Sequence, residues 1–199
     1  MPHLVSNEIN ASLLKPFLEE EISKVVWAME LDKAPGPDGF SIQFYKACWI
    51  IIKTDLMKMV KAFQQKAKVG GSTNSTFLAL LPKEVNPVSF DRFIPISLCN
   101  ASYKILSTLL ENRLKPLLDH LISPSQGGFV KGRHILDNVI FVQEAIHSSF
   151  QRKEQGMLIK LDMANAFDLV KRSFLYKVML SYGINPEFFN LIRACIEKP

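Results

Sequence analysis

The stretch MLIKLDMANAFD, residues 157–168, decides the fold that this sequence predicts. It opens with an apolar run that is interrupted only by Lys160, follows a glycine and is too short for a typical helix. That pattern predicts a buried strand over Met157–Leu161 that ends at Asp162. A carboxylate at the end of a buried strand is costly unless it meets a cation or hydrogen-bond donors.

Asp162 and Asp168 have two interpretations. Magnesium prefers one or two carboxylates together with substrate phosphates, so the first interpretation is a metal site. In the second, Asp162 caps the following turn and Asp168 is solvated. Spacing alone favours the second, because short motifs often match by chance.

Composition bounds the class of protein. The 199 residues are 48% hydrophobic and 22% charged, enough for a sizeable core in one or two domains. Lysine and arginine total 24 against 19 acidic residues, which gives a net charge of +5. This excess favours a polyanionic partner, although solvated surface commonly carries such a charge as well.

Cysteine and histidine usage argues against disulfides and metal clusters. The three cysteines, Cys48, Cys99 and Cys195, are far apart and odd in number, which favours buried thiols in a reducing, intracellular compartment. The four histidines have no metal-ligand spacing. There is no signal segment and no apolar run of about 18 residues, so we expect a soluble, non-secreted protein without a membrane partner.

Apolar periodicity predicts mostly helices in the first half of the chain. A helix from Phe17 should stop before the KAPGPDGF turn, where two prolines and two glycines forbid its continuation. A second helical stretch over about 42–66 should break near Thr54 and bury a stripe in its second half. That stripe comprises Leu56, Met59, Val60 and Phe63.

A β-hairpin and further helices are predicted after residue 70. Residues 76–81 are β-prone, with 93–98 as their hairpin partner. Asn100 is expected to cap a helix that Pro116 kinks or restarts. The helices are expected at about 101–115, 135–152, 171–182 and 186–197. The whole is a helix-rich α/β or α+β protein.

Four motifs occur in a fixed order along the chain. They are KAPGPDGF (33–40), PISLCNASYKILSTLLENRLK (95–115), SQGGFVKGR (125–133) and KLDMANAFD (160–168). Together they closely resemble the reverse transcriptase of LINE-type, non-LTR retrotransposons, in particular the plant group, from about Phe17 onward.

The resemblance implies a fold, partners and a location. It implies the N-terminal part of a right-hand polymerase domain, with fingers and the first part of the palm. Its partners would be an RNA template, a DNA primer and deoxynucleoside triphosphates, with Mg²⁺ as cofactor and the nucleus as one location. The implied divisions are a helical extension with the KAPGPDGF loop (1–69), a fingers-like part (70–155) and the start of the palm (156–199).

The resemblance also assigns roles around the KLDMANAFD motif. Asp162 matches the first metal-binding aspartate of a two-metal site, and the backbone carbonyl of Met163 would lie beside a metal. Phe167 matches the bulky residue that excludes a ribose 2′-hydroxyl, although by periodicity it is simply a core aromatic. Asp168 matches a recurrent family residue that is not a ligand.

The chain departs from the family pattern at three positions. Asn165 replaces a lysine, and Arg172 replaces a tryptophan. Ile94 replaces the arginine that binds triphosphate in the second fingers strand, which is the most damaging departure because an aliphatic side chain has no donors.

Two basic residues near the predicted hairpin are candidates for triphosphate binding. Lys83 falls at the basic position of the first fingers strand, and an exposed strand-end lysine is the alternative. Arg92 lies two residues before Ile94 and would point to the same face of a strand, about 6.6 Å away. Whether it substitutes for the missing arginine stays open.

Basic and aromatic residues suggest contacts to nucleic acid. The glycine-rich SQGGFVKGR loop carries Phe129, Lys131 and Arg133, where cations can follow phosphates and an aromatic ring can stack on a base. For Phe129, burial in the core is about as good an explanation. Lys104 and Arg113 are weaker candidates. The KAPGPDGF turn is equally consistent with a structural role and an RNA-contacting one.

The sequence contains no pair of adjacent aspartates, which the family uses as its second catalytic element. We therefore expect a fragment that is inactive alone. Three hypotheses follow: part of an RNA-directed DNA polymerase, a non-catalytic nucleic-acid-binding remnant, or a relic without activity.

Overall fold

A computed structural model describes residues 4–163 and 169–197. The chain forms two compact units: the larger comprises residues 7–112 and 185–197, and the smaller comprises residues 4–6 and the described part of 113–184. The helices are α1 (Asn7–Leu13), α2 (Glu19–Ala28), α3 (Ile42–Ala47), α4 (Trp49–Lys66), α5 (Ala101–Leu114), α6 (Leu118–Leu121), α7 (Ile135–Gln151), α8 (Arg172–Ser181) and α9 (Pro186–Glu197). The strands are β1 (Thr76–Pro82) and β2 (Phe93–Cys99).

Helix α2 of the larger unit follows the predicted pattern. Three glutamates in the first turn of α2 lie at the positive end of its dipole, and its buried face is formed by Ile22, Val25 and Val26. The helix ends at Ala28, before the KAPGPDGF turn, as predicted.

The break in the second helical stretch was predicted at the wrong residue. The chain leaves helical geometry at Cys48, with φ −96° and ψ 15°, whereas Thr54 lies inside α4. The carbonyl of Cys48 accepts hydrogen bonds from the amides of Ile51 and Ile52 and so starts α4. Three members of the predicted stripe are confirmed as core, because Leu56, Val60 and Phe63 are buried in α4, whereas Met59 is half-buried.

The predicted hairpin is confirmed. Strands β1 and β2 pair antiparallel, with Thr76 opposite Cys99 and Pro82 opposite Phe93. They form the one sheet of the described residues, so the chain there is helix-rich with a small two-stranded sheet.

The sequence predicts that Asn100 caps α5. In the structure its side chain does not do so. Its carbonyl accepts the Lys104 amide, but its side-chain oxygen accepts the Asp38 amide at 3.1 Å. Its side-chain nitrogen donates to the carbonyls of Ser72 at 2.7 Å and Thr73 at 3.4 Å. The side chain is 1% exposed and joins two distant turns to the start of α5.

The rest of α5 agrees with prediction. Ile105, Leu106 and Leu109 are buried on its inner face. After α5, Pro116 lies in a short 3₁₀ turn (Lys115–Leu117) that restarts the chain as α6. No helix in residues 4–163 and 169–197 is both long and apolar enough to cross a membrane.

The predicted strand over Met157–Leu161 is wrong. Residues 157–163 have no regular secondary structure, and Met157 and Leu161 are each 84% exposed. An apolar run becomes a strand only where a neighbouring strand accepts and donates its backbone hydrogen bonds. The sheet of the described residues holds β1 and β2 alone and gives this run no neighbour.

Removing the Asn100 amide should destabilise the larger unit. We expect Asn100→Ala to lower the free energy of unfolding by about 1–3 kcal/mol, because the Asp38 amide and the Ser72 carbonyl lose a buried partner. Asn112→Ala, at an exposed position of the same helix, is the control. Urea unfolding measures both, and equal losses would contradict this role for Asn100.

Candidate nucleic-acid interface

The KAPGPDGF turn of the larger unit is held against the start of α5. The turn closes on itself, with the Gly39 amide on the Gly36 carbonyl at 3.0 Å and the Phe40 amide on the Asp38 carboxylate at 3.0 Å. A Cβ on Gly36 would overlap the backbone nitrogen and side-chain oxygen of Asn100. Glycine is therefore required at Gly36 by close approach of two backbones.

Lys104 also contributes to this turn. Its ammonium donates to the Ala34 carbonyl at 3.3 Å, from one turn inside α5. At the other end of the motif, a hydrogen bond from Lys33 to Glu30 raises the pKa of the Lys33 ammonium. These contacts supply the structural role for the turn; its contact with RNA stays a prediction.

The two triphosphate candidates meet at the loop end of the β-hairpin. The Lys83 amide donates to the Arg92 carbonyl at 2.8 Å, and the Lys83 ammonium donates to the Asp91 carbonyl at 2.8 Å. The Arg92 guanidinium lies 3.4 Å from the Asp91 carboxylate and 3.6 Å from that of Glu84. Two cations and two carboxylates thus balance each other here.

Arg92 does not lie on the strand, so the predicted strand-face relation to Ile94 is wrong. It ends a 3₁₀ turn (Phe90–Arg92) that precedes β2. A hydrogen bond from Ser89 to the Asp91 carboxylate, the largest of several causes, lowers the pKa of Asp91 and keeps it charged beside Arg92.

The SQGGFVKGR loop lies in the smaller unit and exposes two of its three candidates. Phe129 is 89% exposed and has a φ of +63°, so the prediction that it could be a core aromatic is wrong. Lys131 is exposed and forms no ion pair with any residue that the structure describes. Arg133 differs from both, because its side chain is only 17% exposed and its guanidinium contacts the backbone of its own loop.

The catalytic candidates lie in an irregular segment of the smaller unit. Asp162 and Met163 are exposed, and no three His, Cys, Asp or Glu side chains converge anywhere in the described residues. Phe167, Asp168 and the departure at Asn165 lie outside those residues. Arg172, the other departure beside the motif, is exposed at the start of α8.

Arg113 is half-buried in the last turn of α5. The structure thus brings together Lys83 with Arg92, and Phe129 with Lys131 and Arg133, each set within one unit. The sequence did not indicate the part that Asn100 plays, since an asparagine before a helix reads as a cap. Only Gly36 in KAPGPDGF could have suggested a partner nearby, because glycine is typical of close backbone approach.

A comparison with protein families decides the relationship. The model of the family "Reverse transcriptase (RNA-dependent DNA polymerase)" matches residues 82–198, more than half of the chain. The chain belongs to the reverse transcriptase family. Its match begins in β1 and extends beyond the segment that carries Asp162.

Relatives of this reverse transcriptase chain come from mobile elements. The "Transposon TX1 uncharacterized 149 kDa protein" of Xenopus laevis is 28% identical over 96% of the chain, which covers 15% of that protein. The Pol polyprotein from the type-1 retrotransposable element R2 of Popillia japonica is 24% identical over 92% of the chain, covering 24% of it. The Pol polyprotein from the type-1 retrotransposable element R1 of Bradysia coprophila is 29% identical over 78% of the chain, which covers 16% of that protein.

The chain therefore spans at most about a quarter of the length of these relatives. The predicted relationship to non-LTR retrotransposon reverse transcriptases is confirmed at this level.

The role of Gly36 can be tested directly. We expect Gly36→Ala to lower the free energy of unfolding by about 1–3 kcal/mol, because the new methyl group overlaps backbone that cannot move freely. Gly71→Ala is the control, since nothing lies within 4 Å of its added Cβ and it should be neutral or slightly stabilising. Thermal and urea unfolding measure both variants. A Gly36→Ala variant with an unchanged free energy of unfolding would contradict the close approach of the two backbones.

Proposed function

We propose that this chain supplies the fingers and the first part of the palm of a non-LTR retrotransposon reverse transcriptase of the plant group. In the complete enzyme it would copy an RNA template into DNA from a DNA primer with deoxynucleoside triphosphates. The family match over residues 82–198 is the observation that carries this proposal. The division at 1–69, 70–155 and 156–199 belongs to it, as does a reducing, intracellular location that includes the nucleus.

The residues present do not fit a complete two-metal site. Such a site needs carboxylates from separate elements that converge on one point, and the described residues contain no such cluster. The proposal for Mg²⁺ is therefore restricted to Asp162 and the carbonyl of Met163 as one part of the ligand set in a longer polymerase. Phe167 is proposed to exclude nucleotides that carry a ribose 2′-hydroxyl.

Triphosphate binding at the hairpin end requires an exchange of partners. Arg92 is bound to Asp91 and Glu84, so a triphosphate would have to displace those carboxylates. Lys83 would likewise leave the Asp91 carbonyl. At Lys83 the exchange replaces a neutral carbonyl by an anionic oxygen and is favourable in principle, whereas at Arg92 it replaces one anion by another.

A second function, binding of single-stranded RNA without catalysis, is favoured by the SQGGFVKGR loop. Phe129 presents its ring to solvent, and Lys131 lies close to it in the chain with an exposed ammonium. This pair supplies the two elements of sequence-tolerant recognition, a stacking surface and a cation. The function does not require the missing carboxylates.

The polymerase proposal predicts that the 199-residue chain alone extends no primer. With RNA template, DNA primer, Mg²⁺ and deoxynucleotides, a denaturing gel should show only unextended primer, because Asp162 alone cannot hold two metals. A longer chain that adds an Asp-Asp element and carries Ile94→Arg should extend the primer. Asp162→Ala in that longer chain should abolish primer extension. Extension by the 199-residue chain that survives Asp162→Ala would contradict the role of Asp162.

The binding proposal predicts a strong salt dependence. The affinity for a labelled oligouridylate should fall linearly on a logarithmic scale with salt, and Lys131→Gln should reduce the slope by about 0.7, the value for one phosphate contact to a single strand. Lys58→Gln, an exposed lysine paired with Asp55 on α4, should leave the slope unchanged. No binding at low salt, or an affinity that does not change with salt, would rule out the binding proposal.

A further inference from the structure

The guanidinium of Arg133 contacts carbonyl oxygens of four residues between 119 and 126, in α6 and in the segment that joins α6 to α7. One terminal nitrogen donates to Ser123 at 2.5 Å and to Gln126 at 3.1 Å. The other donates to Ile122 at 3.1 Å and contacts Asp119 through its carbonyl at 3.5 Å and its carboxylate at 3.6 Å. An arginine has five N–H donors, so these contacts use most of its capacity.

The loop that Arg133 holds contains unusual backbone. Phe129 has a φ of +63° and Gly132 a φ of +82°, and the Arg133 amide closes a turn on the Val130 carbonyl at 3.3 Å. A left-handed conformation at a phenylalanine persists only where the surrounding structure fixes it. Lys131 lies within that turn and is exposed.

A second tether comes from α7. The Asn138 side chain donates to the Ser125 carbonyl at 3.3 Å, and a Cβ on Gly127 would lie 2.8 Å from the Asn138 side-chain nitrogen. The first half of the loop is thus fixed by Asn138 and Gly127. Arg133 binds both the first half, through Ser123 and Gln126, and the end of α6 before it.

We propose that Arg133 is a positioning residue that acts through Phe129 and Lys131, and that it is not itself a phosphate ligand. Its guanidinium joins the two ends of the loop, and this fixes the left-handed residue and the turn that present the ring and the ammonium. A phosphate could reach Arg133 only by displacing these carbonyls. The part of the inference that concerns RNA rests on the proposed function.

The first experiment measures loop order without RNA. Quenched-flow hydrogen exchange with mass spectrometry follows the amides of residues 123–133 in the full chain. We expect Arg133→Lys and Arg133→Gln to accelerate exchange on the order of tenfold, because an ammonium cannot span several carbonyls as the planar fork does. Lys131→Gln, in the same loop, should leave exchange unchanged. Unchanged exchange in Arg133→Lys would overturn the proposal.

The second experiment measures affinity for a labelled oligouridylate. Arg133→Lys keeps the charge, so for a phosphate ligand Arg133→Lys would lose much less affinity than Arg133→Gln, although lysine cannot reproduce the planar fork of arginine. A positioning role predicts that Arg133→Lys and Arg133→Gln both lose affinity, by roughly fivefold or more, the loss of one base–aromatic stack. Full affinity in Arg133→Lys despite faster exchange would overturn the link to Phe129 and Lys131.

The two readouts separate this inference from the proposed function. If the unsubstituted chain binds no RNA but Arg133→Lys accelerates exchange, the positioning of the loop stands and RNA binding fails. If the unsubstituted chain binds RNA and Arg133→Lys changes neither readout, RNA binding stands and the positioning role fails.

Discussion

The buried amide of Asn100 is the interaction on which the larger unit depends. It accepts from Asp38 and donates to Ser72 and Thr73, so one side chain fixes the KAPGPDGF turn, the turn before β1 and the start of α5. Burying a side-chain amide without hydrogen-bond partners is unfavourable. Here both the oxygen and the nitrogen of the Asn100 amide have partners. Because Gly36 lies against the same residue, the turn can occupy this place only with glycine there.

Several basic residues likewise use their side chains to bond backbone carbonyls of other segments. The ammonium of Lys104 bonds the Ala34 carbonyl, that of Lys46 bonds the Trp27 and Met29 carbonyls, and Arg133 bonds the carbonyls of its loop. The hydrogen bonds of these cations stabilise turns and helix ends, so their donors are already used within the protein. A net charge of +5 therefore overstates the positive surface that is open to a polyanion, and Lys131 gains importance because it has no such contact among the described residues.

The sequence predicted features whose causes are local. The pairing of the hairpin strands and the core stripe of α4 follow from β-prone residues and helical period, which the structure keeps. It failed for Met157–Leu161, because an apolar run cannot reveal whether a neighbouring strand exists. It also missed the partners of Asn100 and Arg133, because a side chain that bonds distant backbone leaves no periodic signal. Arg133 looked like a phosphate ligand because arginine beside glycines fits both roles.

The most direct test of the account maps where RNA touches this chain. Single-stranded RNA that carries 4-thiouridine, crosslinked to the 199-residue chain and analysed by mass spectrometry, should attach within residues 125–133, at or next to Phe129. Crosslinks confined to other segments, with none in that loop, would contradict the claim that a loop held by Arg133 presents the nucleic-acid contact of this reverse transcriptase chain.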